Sequence, residues 1–235
     1  ICKPCLSRKF WENADGEFSS EIKSDKGNWK FYNEIPEFWY IKYNKLNIKS
    51  LPTPFRHLGF FPEQSVHWKW CRNLIQSSKI DQPRILNLFG YSGIASLDAA
   101  IAGASVTHID ASKKAINLAF ENRNRNNLEY LPIRYLVEDA VSFVKKEINR
   151  KKKYDGIILD PPKYGRGPNG EIWKIEENLL DLMLQIKEIL SENPLFLVIT
   201  SYAIRSSHMS LYNLLKSSLN FDYGKYSSGE LGIRE

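Results

Sequence analysis

Acidic, glycine and proline residues follow four successive apolar runs of this sequence, at the points where buried strands would end. The sharpest case is the stretch "YDGIILDPPKYGRG", in which an apolar run precedes Asp160, Pro161 and Pro162. Proline lacks a backbone N–H and fixes φ, so a strand cannot continue through these positions. Because the carboxyl ends of parallel strands border the ligand crevice of α/β sheets, Asp160 is a candidate site residue. The alternative is an ordinary strand-ending turn.

The first apolar run, "RILNLFGYSG", leads through Gly90 and Gly93 toward a predicted helix. Glycine at such a turn lets a ligand approach the backbone, and a helix N-terminus favours negative charge. This pattern predicts a cofactor loop, with a simple tight turn as the alternative. The spacing is not the G-x-G-x-x-G of dinucleotide folds.

The second run, "ASVTHID", ends on Asp110, roughly 20 residues beyond the glycine turn, where nucleoside-binding folds place an acid. A carboxylate there accepts both hydrogens of a ribose diol. Ser112 follows in "ASKKA", and we interpret it as a helix N-cap.

The third run is followed by "VEDAVSF", which places Asp139 at a strand end with Ala140 beside it. Such a pair can accept a hydrogen bond from the exocyclic amine of adenine while a backbone N–H donates to the ring. The alternative for Asp139 is a plain helix N-cap.

These positions require parallel strands separated by helices, and the sequence predicts that alternation from residue 64 onward. Residues 1–52 instead contain short alternating runs rich in Trp, Tyr and Lys, which predict small antiparallel strands. Their aromatic side chains serve as packing mass, with a base-stacking surface as the alternative. We expect helices over 64–79, 93–103, 112–127, 140–150, 173–191 and 206–219, strands over 84–89, 105–109, 133–137, 155–160 and 195–200, and two closing strands near 220–234.

A glycine turn, a ribose acid, an adenine acid and Asp-Pro-Pro, in this order, resemble motifs I to IV of class I S-adenosylmethionine-dependent methyltransferases. The resemblance is closer still to bacterial ribosomal-RNA methyltransferases of the large subunit, through "FRHLGFFPEQSVHW", "NLFGYSGIASLDAAIAGASVTHIDASKKAI" and "YDGIILDPPKYGRGPNGEIW". It covers roughly residues 54 to 235. It implies a methyltransferase domain over 53–235 with a Rossmann-like seven-stranded α/β sheet and helices on both faces, preceded by a small β-rich extension over 1–52.

The resemblance also implies S-adenosylmethionine as the cofactor and places the "PEQ" segment near its methionine end, although a helix start explains that segment equally well. Relatives often have Arg after the Gln, where this chain has Ser65, so Arg56 is a candidate substitute for neutralising the cofactor carboxylate. The implied cofactor-binding residues are Glu63, Gln64, Asn87, Phe89, Gly90, Gly93, Asp110, Ala111, Ser112, Asp139, Ala140 and Asp160.

Methylation at C5 of cytosine requires a nucleophile, normally a cysteine thiolate. The resemblance implies that such a cysteine would lie beside the Asp-Pro-Pro motif or after the fifth strand. The segments at these places, "DPPKYG" and "ITSYAIRSS", contain no cysteine, and we expect Cys71 to lie in the core or on a helix surface. A base nitrogen needs only in-line attack, oriented by carbonyl and carboxylate acceptors such as those of Asp160, Pro161 and Pro162.

The loop "KYGRGPNG" supplies candidate substrate contacts, with Tyr164 stacking on an extruded base and Lys163 or Arg166 meeting phosphate. The alternative is a merely mobile loop. The run of cations from Lys145 to Lys153 sits at a predicted helix end, where it opposes the helix dipole, and an RNA track is the less favoured interpretation.

Composition leaves the partner open but favours RNA weakly. Lys and Arg number 33 against 27 Asp and Glu, which gives a net charge of +6.

No run approaches the ~18 apolar residues of a membrane span, and no signal pattern starts the chain, so we expect a cytoplasmic protein. The chain begins without Met and ends within a strand-like run, so we expect trimming at either end. Cys2 and Cys5 form a lone Cys-x-x-Cys, and the histidines have no ligand spacing, so we predict no metal.

The sequence therefore predicts a methyltransferase acting on a base nitrogen of ribosomal or other structured RNA. Three alternatives remain: a methyltransferase for a small molecule or protein, a nicotinamide-dependent oxidoreductase, and a cofactor-binding RNA module without catalysis. The missing G-x-G-x-x-G argues against the oxidoreductase.

Overall fold

A computed structural model describes residues 7–20, 27–55, 57–202, 204, 206–221 and 224–232. The chain forms two compact units, Ile1–Phe61 and Pro62–Glu235. The division into domains at residue 52 stays a prediction. Arg56, Cys2 and Cys5 lie outside the described residues, so the roles predicted for them have no structural account.

The first unit contains a short helix and two antiparallel hairpins, as the alternating apolar runs predict. The indole of Trp29 donates a hydrogen bond of 2.7 Å to the carbonyl of Thr53. Among the described residues of this unit, Leu46 and Ile48 are the buried hydrophobic residues, whereas Trp29 is half-buried and Phe31 and Tyr40 are exposed, so aliphatic side chains supply the buried packing. The elements are α1 (Arg8–Trp11), β1 (Gly16–Ser20) paired with β2 (Gly27–Phe31), and β3 (Trp39–Tyr43) paired with β4 (Leu46–Ser50).

The second unit alternates helices and strands, as the sequence predicts. A short 3₁₀ helix, Pro62–Gln64, leads into its first α-helix. The remaining elements are α2 (Ser65–Ser77), β5 (Arg84–Leu88), α3 (Ile94–Ile101), β6 (Ser105–Asp110), α4 (Lys113–Arg125), β7 (Ile133–Val137), α5 (Ala140–Asn149), β8 (Gly156–Leu159), β9 (Tyr164–Arg166), β10 (Ile172–Lys174), α6 (Ile175–Ile189), β11 (Phe196–Ile199) and α7 (His208–Leu219).

Five parallel strands form the central sheet in the order β11-β8-β5-β6-β7. Alternate residues of each strand point to opposite faces, so both faces must be apolar to carry helices. Leu86 and Leu88 join the cluster that packs α5 and α6, whereas Ile85 joins the cluster that packs α2 and α3. The sheet is therefore covered on both sides, and its strands all end at one rim.

The predicted seven strands are not matched, because the described residues contain five strands in the central sheet. No strand is present in 220–221 or 224–232, the described part of the predicted closing strands. A hairpin, β9 with β10, stands where the sequence suggests a loop. Its pairing places Trp173 opposite Gly165, and Trp173 is buried. The segment before α6 is therefore extended and carries a buried indole.

No helix in the described part of the chain combines the length and hydropathy needed to cross a bilayer.

Candidate active site

The carboxylate of Asp160 is held by two donors at the rim of the sheet. Gln64 Nε2 donates to Oδ2 at 2.7 Å, and Thr200 Oγ1 donates to Oδ1 at 2.7 Å. Asp160 follows β8 and Thr200 follows the neighbouring strand β11, so parallel pairing brings them together. Each carboxylate oxygen accepts about two hydrogen bonds, so both oxygens keep capacity for a further donor.

Burial raises the pKa of Asp160, and the hydrogen bonds from Thr200 and Gln64 oppose that rise, as does nearby His67. His67 lies on α2, one turn beyond Gln64. Burial lowers the pKa of His67, while the charge of Asp160 acts in the opposite direction. Among the described residues, His67 Nδ1 is buried without a hydrogen-bond partner. The rim thus holds a partly desolvated carboxylate beside a buried imidazole nitrogen.

The two prolines turn the chain as predicted, and the carbonyls of Pro162 and Lys163 each accept one hydrogen bond. Trp173 Nε1 donates to the Pro162 carbonyl at 2.7 Å, and the backbone N–H of Ile175 donates to the Lys163 carbonyl at 3.0 Å. These bonds attach the β9–β10 hairpin to the turn. A carbonyl oxygen has two lone pairs, so these carbonyls, like the carboxylate of Asp160, keep acceptor capacity, and their contact with a substrate stays a prediction.

Packing accounts for both glycines of the loop that follows β5. A Cβ on Gly90 would lie 2.4 Å from the His108 ring, and one on Gly93 would lie 2.8 Å from the Cβ of Ala119. Gly93 also has a φ of +79°. The tight-turn interpretation is thus sufficient for these two residues, and their part in cofactor binding stays a prediction.

Two other residues of this loop have left-handed backbone angles. Phe89 has a φ of +58° and Tyr91 a φ of +47°. An ordinary side chain in this region costs roughly 1 kcal/mol or more, and such strain concentrates at functional sites. The Phe89 ring lies 5.0 Å from that of Trp173, so the loop after β5 contacts the hairpin that follows Pro162.

Asp110 ends β6 at the same rim, and two backbone groups orient its carboxylate. The N–H of Tyr91 donates to Oδ2 at 2.9 Å, and that of Ser112 donates to Oδ1 at 2.8 Å. Burial raises the pKa of Asp110, and these two donors oppose the rise. Ser112 caps α4 by accepting a hydrogen bond from Ala115, as predicted, and Ala111 is half-buried between them.

Asp139 caps α5 by accepting a hydrogen bond of 2.8 Å from the backbone N–H of Ser142. It is buried, as is Ala140, which begins the helix. The capping interpretation therefore holds for one carboxylate oxygen. The predicted contact with adenine stays a prediction.

Asn87 lies beneath the loop, in a buried polar network. Its side-chain amide donates to Ser96 Oγ at 2.9 Å, and Ser96 Oγ is 2.9 Å from Nδ1 of His108. Burial lowers the pKa of His108 to about 3, so the ring is neutral. Asn87 therefore supports the loop from below through its side chain, and its predicted role in cofactor binding stays a prediction.

The remaining predicted residues lie in two surface segments. Glu63 is half-buried in the 3₁₀ helix beside Gln64, and Lys163 is exposed just after the proline turn. Tyr164 and Arg166 lie on the exposed face of β9, whereas Gly165 between them faces Trp173. Two of the three predicted substrate residues therefore lie on a β-hairpin, and their contact with a substrate stays a prediction.

Sequence reasoning missed Thr200, His67, Trp173 and the backbone of Tyr91. Thr200 could have been found, because it ends a predicted strand in the same way as Asp160. Trp173 had no such signal. The apolar residues of "EIWKI" are too few to distinguish the period of a helix from that of a strand.

A covalent cysteine mechanism and a metal centre have no support among the described side chains. Cys71 is buried in α2, and burial raises the pKa of its thiol to about 12, so it is protonated at neutral pH. No group of three metal-binding side chains occurs in the described ranges.

The chain is similar to a known protein family, to curated proteins and to solved structures. The family model of conserved hypothetical protein 95 matches residues 67–209. The crystal structure of a SAM-dependent methyltransferase from Agrobacterium tumefaciens is 42% identical with a TM-score of 0.86, and the match covers 92% of this chain and 69% of that one.

Two curated relatives are ribosomal RNA large subunit methyltransferases K/L. The protein of Shewanella loihica is 31% identical over 76% of this chain and 25% of the relative. That of Shewanella frigidimarina is 33% identical over 63% of this chain and 20% of the relative. The chain thus spans a quarter or less of the length of these two proteins. From the family model and the Agrobacterium structure, the chain belongs to the conserved hypothetical protein 95 family of SAM-dependent methyltransferases.

Proposed function

We propose that this chain transfers a methyl group from S-adenosylmethionine to a base nitrogen of ribosomal or other structured RNA. One observation carries the proposal: Asp160, at the end of β8, is held by Gln64 and Thr200 with acceptor capacity left on both oxygens. When bound, S-adenosylmethionine supplies an electrophilic methyl group on its sulfonium.

The donors and acceptors at the rim fit a nucleoside cofactor. The Asp110 carboxylate is already oriented by Tyr91 and Ser112, so it can accept from a ribose diol without reorganising. Asp139 and Ala140 follow the next strand, β7, where an adenine ring would lie beyond the ribose. The proposed cofactor residues are Glu63, Gln64, Asn87, Phe89, Gly90, Gly93, Asp110, Ala111, Ser112, Asp139 and Ala140. Asp160 would line the cofactor beside its methyl group, where its side chain adds little to cofactor affinity.

Asp160 would orient the nucleophile. A base nitrogen that carries hydrogen would donate to the carboxylate, which orients the nitrogen lone pair toward the methyl group. The carboxylate would then stabilise the positive charge that develops on this nitrogen and take up its proton. Pro161 and Pro162 would hold the turn, and the hydrogen bond from Trp173 orients the Pro162 carbonyl. No covalent bond to the enzyme is needed, which agrees with the protonated state of Cys71.

An RNA substrate is supported by the names of the two Shewanella relatives and by the charge of +6. The exposed hairpin residues Lys163, Tyr164 and Arg166 would meet phosphate and an extruded base. A ribosomal substrate would place the protein in the cytoplasm.

The test is transfer of a tritiated methyl group to total RNA from a strain lacking this protein, followed by nucleoside mass spectrometry. The proposal predicts label in one methylated nucleoside that the strain lacks. Label in protein or small molecules alone would overturn the RNA assignment. Calorimetry with S-adenosylhomocysteine and with NAD separates a methyltransferase from an oxidoreductase, because only the first ligand should bind.

A further inference from the structure

We propose that His67 is a positioning residue for methyl transfer, which accepts from Asp160 the proton that the target nitrogen releases. The two side chains then form a proton relay. The inference rests on the proposed function, because it names the second acceptor for a proton of the same reaction. His67 acts through Asp160 and needs no contact with the substrate.

His67 lies on the face of α2 that packs against the sheet. Gln64 has helical backbone angles, with φ −74° and ψ −7°, and its side chain donates to Asp160. His67 follows three residues later, and Cys71 and Ile75 follow at further steps of four and are buried. Residues at these spacings share one face of a helix. His67 therefore lies one turn from the hydrogen bond between Gln64 and Asp160, on the same side of α2.

One nitrogen of His67 is buried without a partner. Among the described residues, no group makes a hydrogen bond to Nδ1. Most buried polar atoms in proteins are paired, and an unpaired one calls for an explanation such as a catalytic role. Burial lowers the pKa of His67, so the ring is neutral at pH 7 and can take up one proton.

Three residues oppose the rise in the pKa of Asp160, and two of them cannot take up its proton. The Gln64 amide and the Thr200 hydroxyl are neutral donors, one to each carboxylate oxygen. His67 is the third, and it acts through its charge rather than through a hydrogen bond. An imidazolium and a carboxylate attract each other strongly where water is excluded. The pair can therefore hold a proton better than Asp160 alone.

The elements in contact with α2 carry few other charges that could act on His67. The 3₁₀ helix contributes Glu63 and α3 contributes Asp98, whereas β11 has no charged residue. Asp98 is paired with Arg72 of α2. Asp160 is the group whose charge raises the pKa of His67. The electrostatic contact of His67 is thus with the carboxylate at the end of β8.

Methylation of an N–H nitrogen releases one proton for each methyl group transferred. The nitrogen lone pair forms the new N–C bond, the electron pair of the broken S–C bond stays on sulfur, and the N–H proton moves to Asp160. Because no hydrogen bond joins Asp160 to His67 Nδ1, the proton then crosses by way of one water. The step requires the neutral tautomer with its hydrogen on Nε2. Asp160 is ionised again, and the half-buried ring returns the proton to solvent.

The first experiment titrates the imidazole of His67 by NMR in the full chain without RNA. We expect the pKa of His67 to be lower in Asp160→Asn than in the wild type, because the negative charge of Asp160 favours the imidazolium. Asp81→Asn is the control, since it removes an exposed carboxylate before β5, at the opposite end of the sheet. A titration of His67 that is the same in Asp160→Asn and in the wild type overturns the relay.

The second experiment measures kcat for methyl transfer to RNA. His67→Asn keeps a polar nitrogen near the position of Nδ1 but cannot take up a proton, so kcat should fall about 10-fold, less than for loss of Asp160 itself. The KM for RNA and the affinity for S-adenosylhomocysteine should match the wild type. Imidazole added to His67→Ala should restore activity, and the gain should rise with the fraction of neutral imidazole. His208→Asn, on α7 at the other face of the sheet, is the control and should keep the wild-type kcat.

The outcomes separate the possible failures. A wild-type kcat in folded His67→Asn overturns the relay, and His67→Gln takes its place if that variant does not fold. Loss of activity that imidazole does not restore in His67→Ala also overturns the relay, because it indicates a packing role. A wild type that methylates no RNA overturns the proposed function, and the relay fails with it.

Discussion

The indole of Trp173 donates a hydrogen bond of 2.7 Å to the carbonyl oxygen of Pro162. Trp173 is 3% exposed, and its ring also lies 5.0 Å from that of Phe89. One side chain thus joins the Asp-Pro-Pro turn to the loop after β5 and to the hairpin. We expect these contacts to help set the position of Asp160 relative to the predicted cofactor loop.

Replacing Trp173 by Phe should lower kcat while leaving cofactor affinity nearly unchanged. The ring contact survives, but the Pro162 carbonyl loses its donor, which costs about 1–3 kcal/mol when the group stays buried. If about half of this free energy is lost from transition-state stabilisation because Asp160 is misplaced, kcat should fall roughly 2- to 13-fold. Steady-state kinetics and S-adenosylhomocysteine calorimetry measure the two effects separately. Trp70→Phe, at an exposed position, is the control, and equal kcat values for both variants would refute the positioning role.

Asp110→Ala should weaken S-adenosylhomocysteine binding by ~1.5–3 kcal/mol, because two charge-assisted hydrogen bonds to the ribose are lost. Isothermal calorimetry measures this directly. The exposed Asp81→Ala is a charge-matched control and should bind normally. Normal affinity in a folded Asp110 variant would remove this residue from the cofactor site.

Gly90→Ala should destabilise the protein by about 1–3 kcal/mol, since the new methyl group would lie 2.4 Å from the buried His108 ring. The ring cannot withdraw without breaking its contact with Ser96. Urea denaturation measures the change. Gly229→Ala introduces a methyl group with no atom within 4 Å and should be neutral. A Gly90 variant as stable as wild type would show that the loop can move away from His108.

Activity should decline as pH falls through the raised pKa of Asp160, because the protonated acid no longer stabilises positive charge on the nucleophile. A raised pKa in the folded state also means that the protonated form favours folding. The carboxylate therefore costs stability as pH rises above the unfolded pKa, and Asp160→Asn should become relatively more stable toward neutral pH. Rate profiles at saturating cofactor and melting temperatures at pH 4 to 8 test both effects. If the rate of Asp160→Asn still declines at low pH, another group causes that decline.

The rim of the second unit was predictable because one rule governs it: parallel strands end at one edge. That rule located Asp110, Asp139 and Asp160, and capping chemistry located Ser112. Applied once more, it would have found Thr200 at the end of β11. The five central strands and their helices follow from the alternation of apolar runs.

The remainder depends on contacts between distant segments, which local patterns do not encode. Gly90 suits a cofactor loop in the sequence, yet the buried ring of His108 is what excludes a side chain there. The β9–β10 hairpin has strands of three residues, too short for a periodic signal, and its Trp173 packs against Phe89 from a distant part of the chain. Asn87 lies near the end of a strand, where the sequence suggests contact with a cofactor, but its side chain is buried and bonds to Ser96.

The most direct test of the central claim compares wild type and Asp160→Ala in transfer of tritiated methyl groups to RNA from a strain lacking this protein. The account predicts that kcat falls by ~10²-fold or more, the range for loss of a positioned acid or base, while S-adenosylhomocysteine affinity stays nearly unchanged. A folded Asp160→Ala protein that methylates the same nucleoside at the wild-type rate would contradict it.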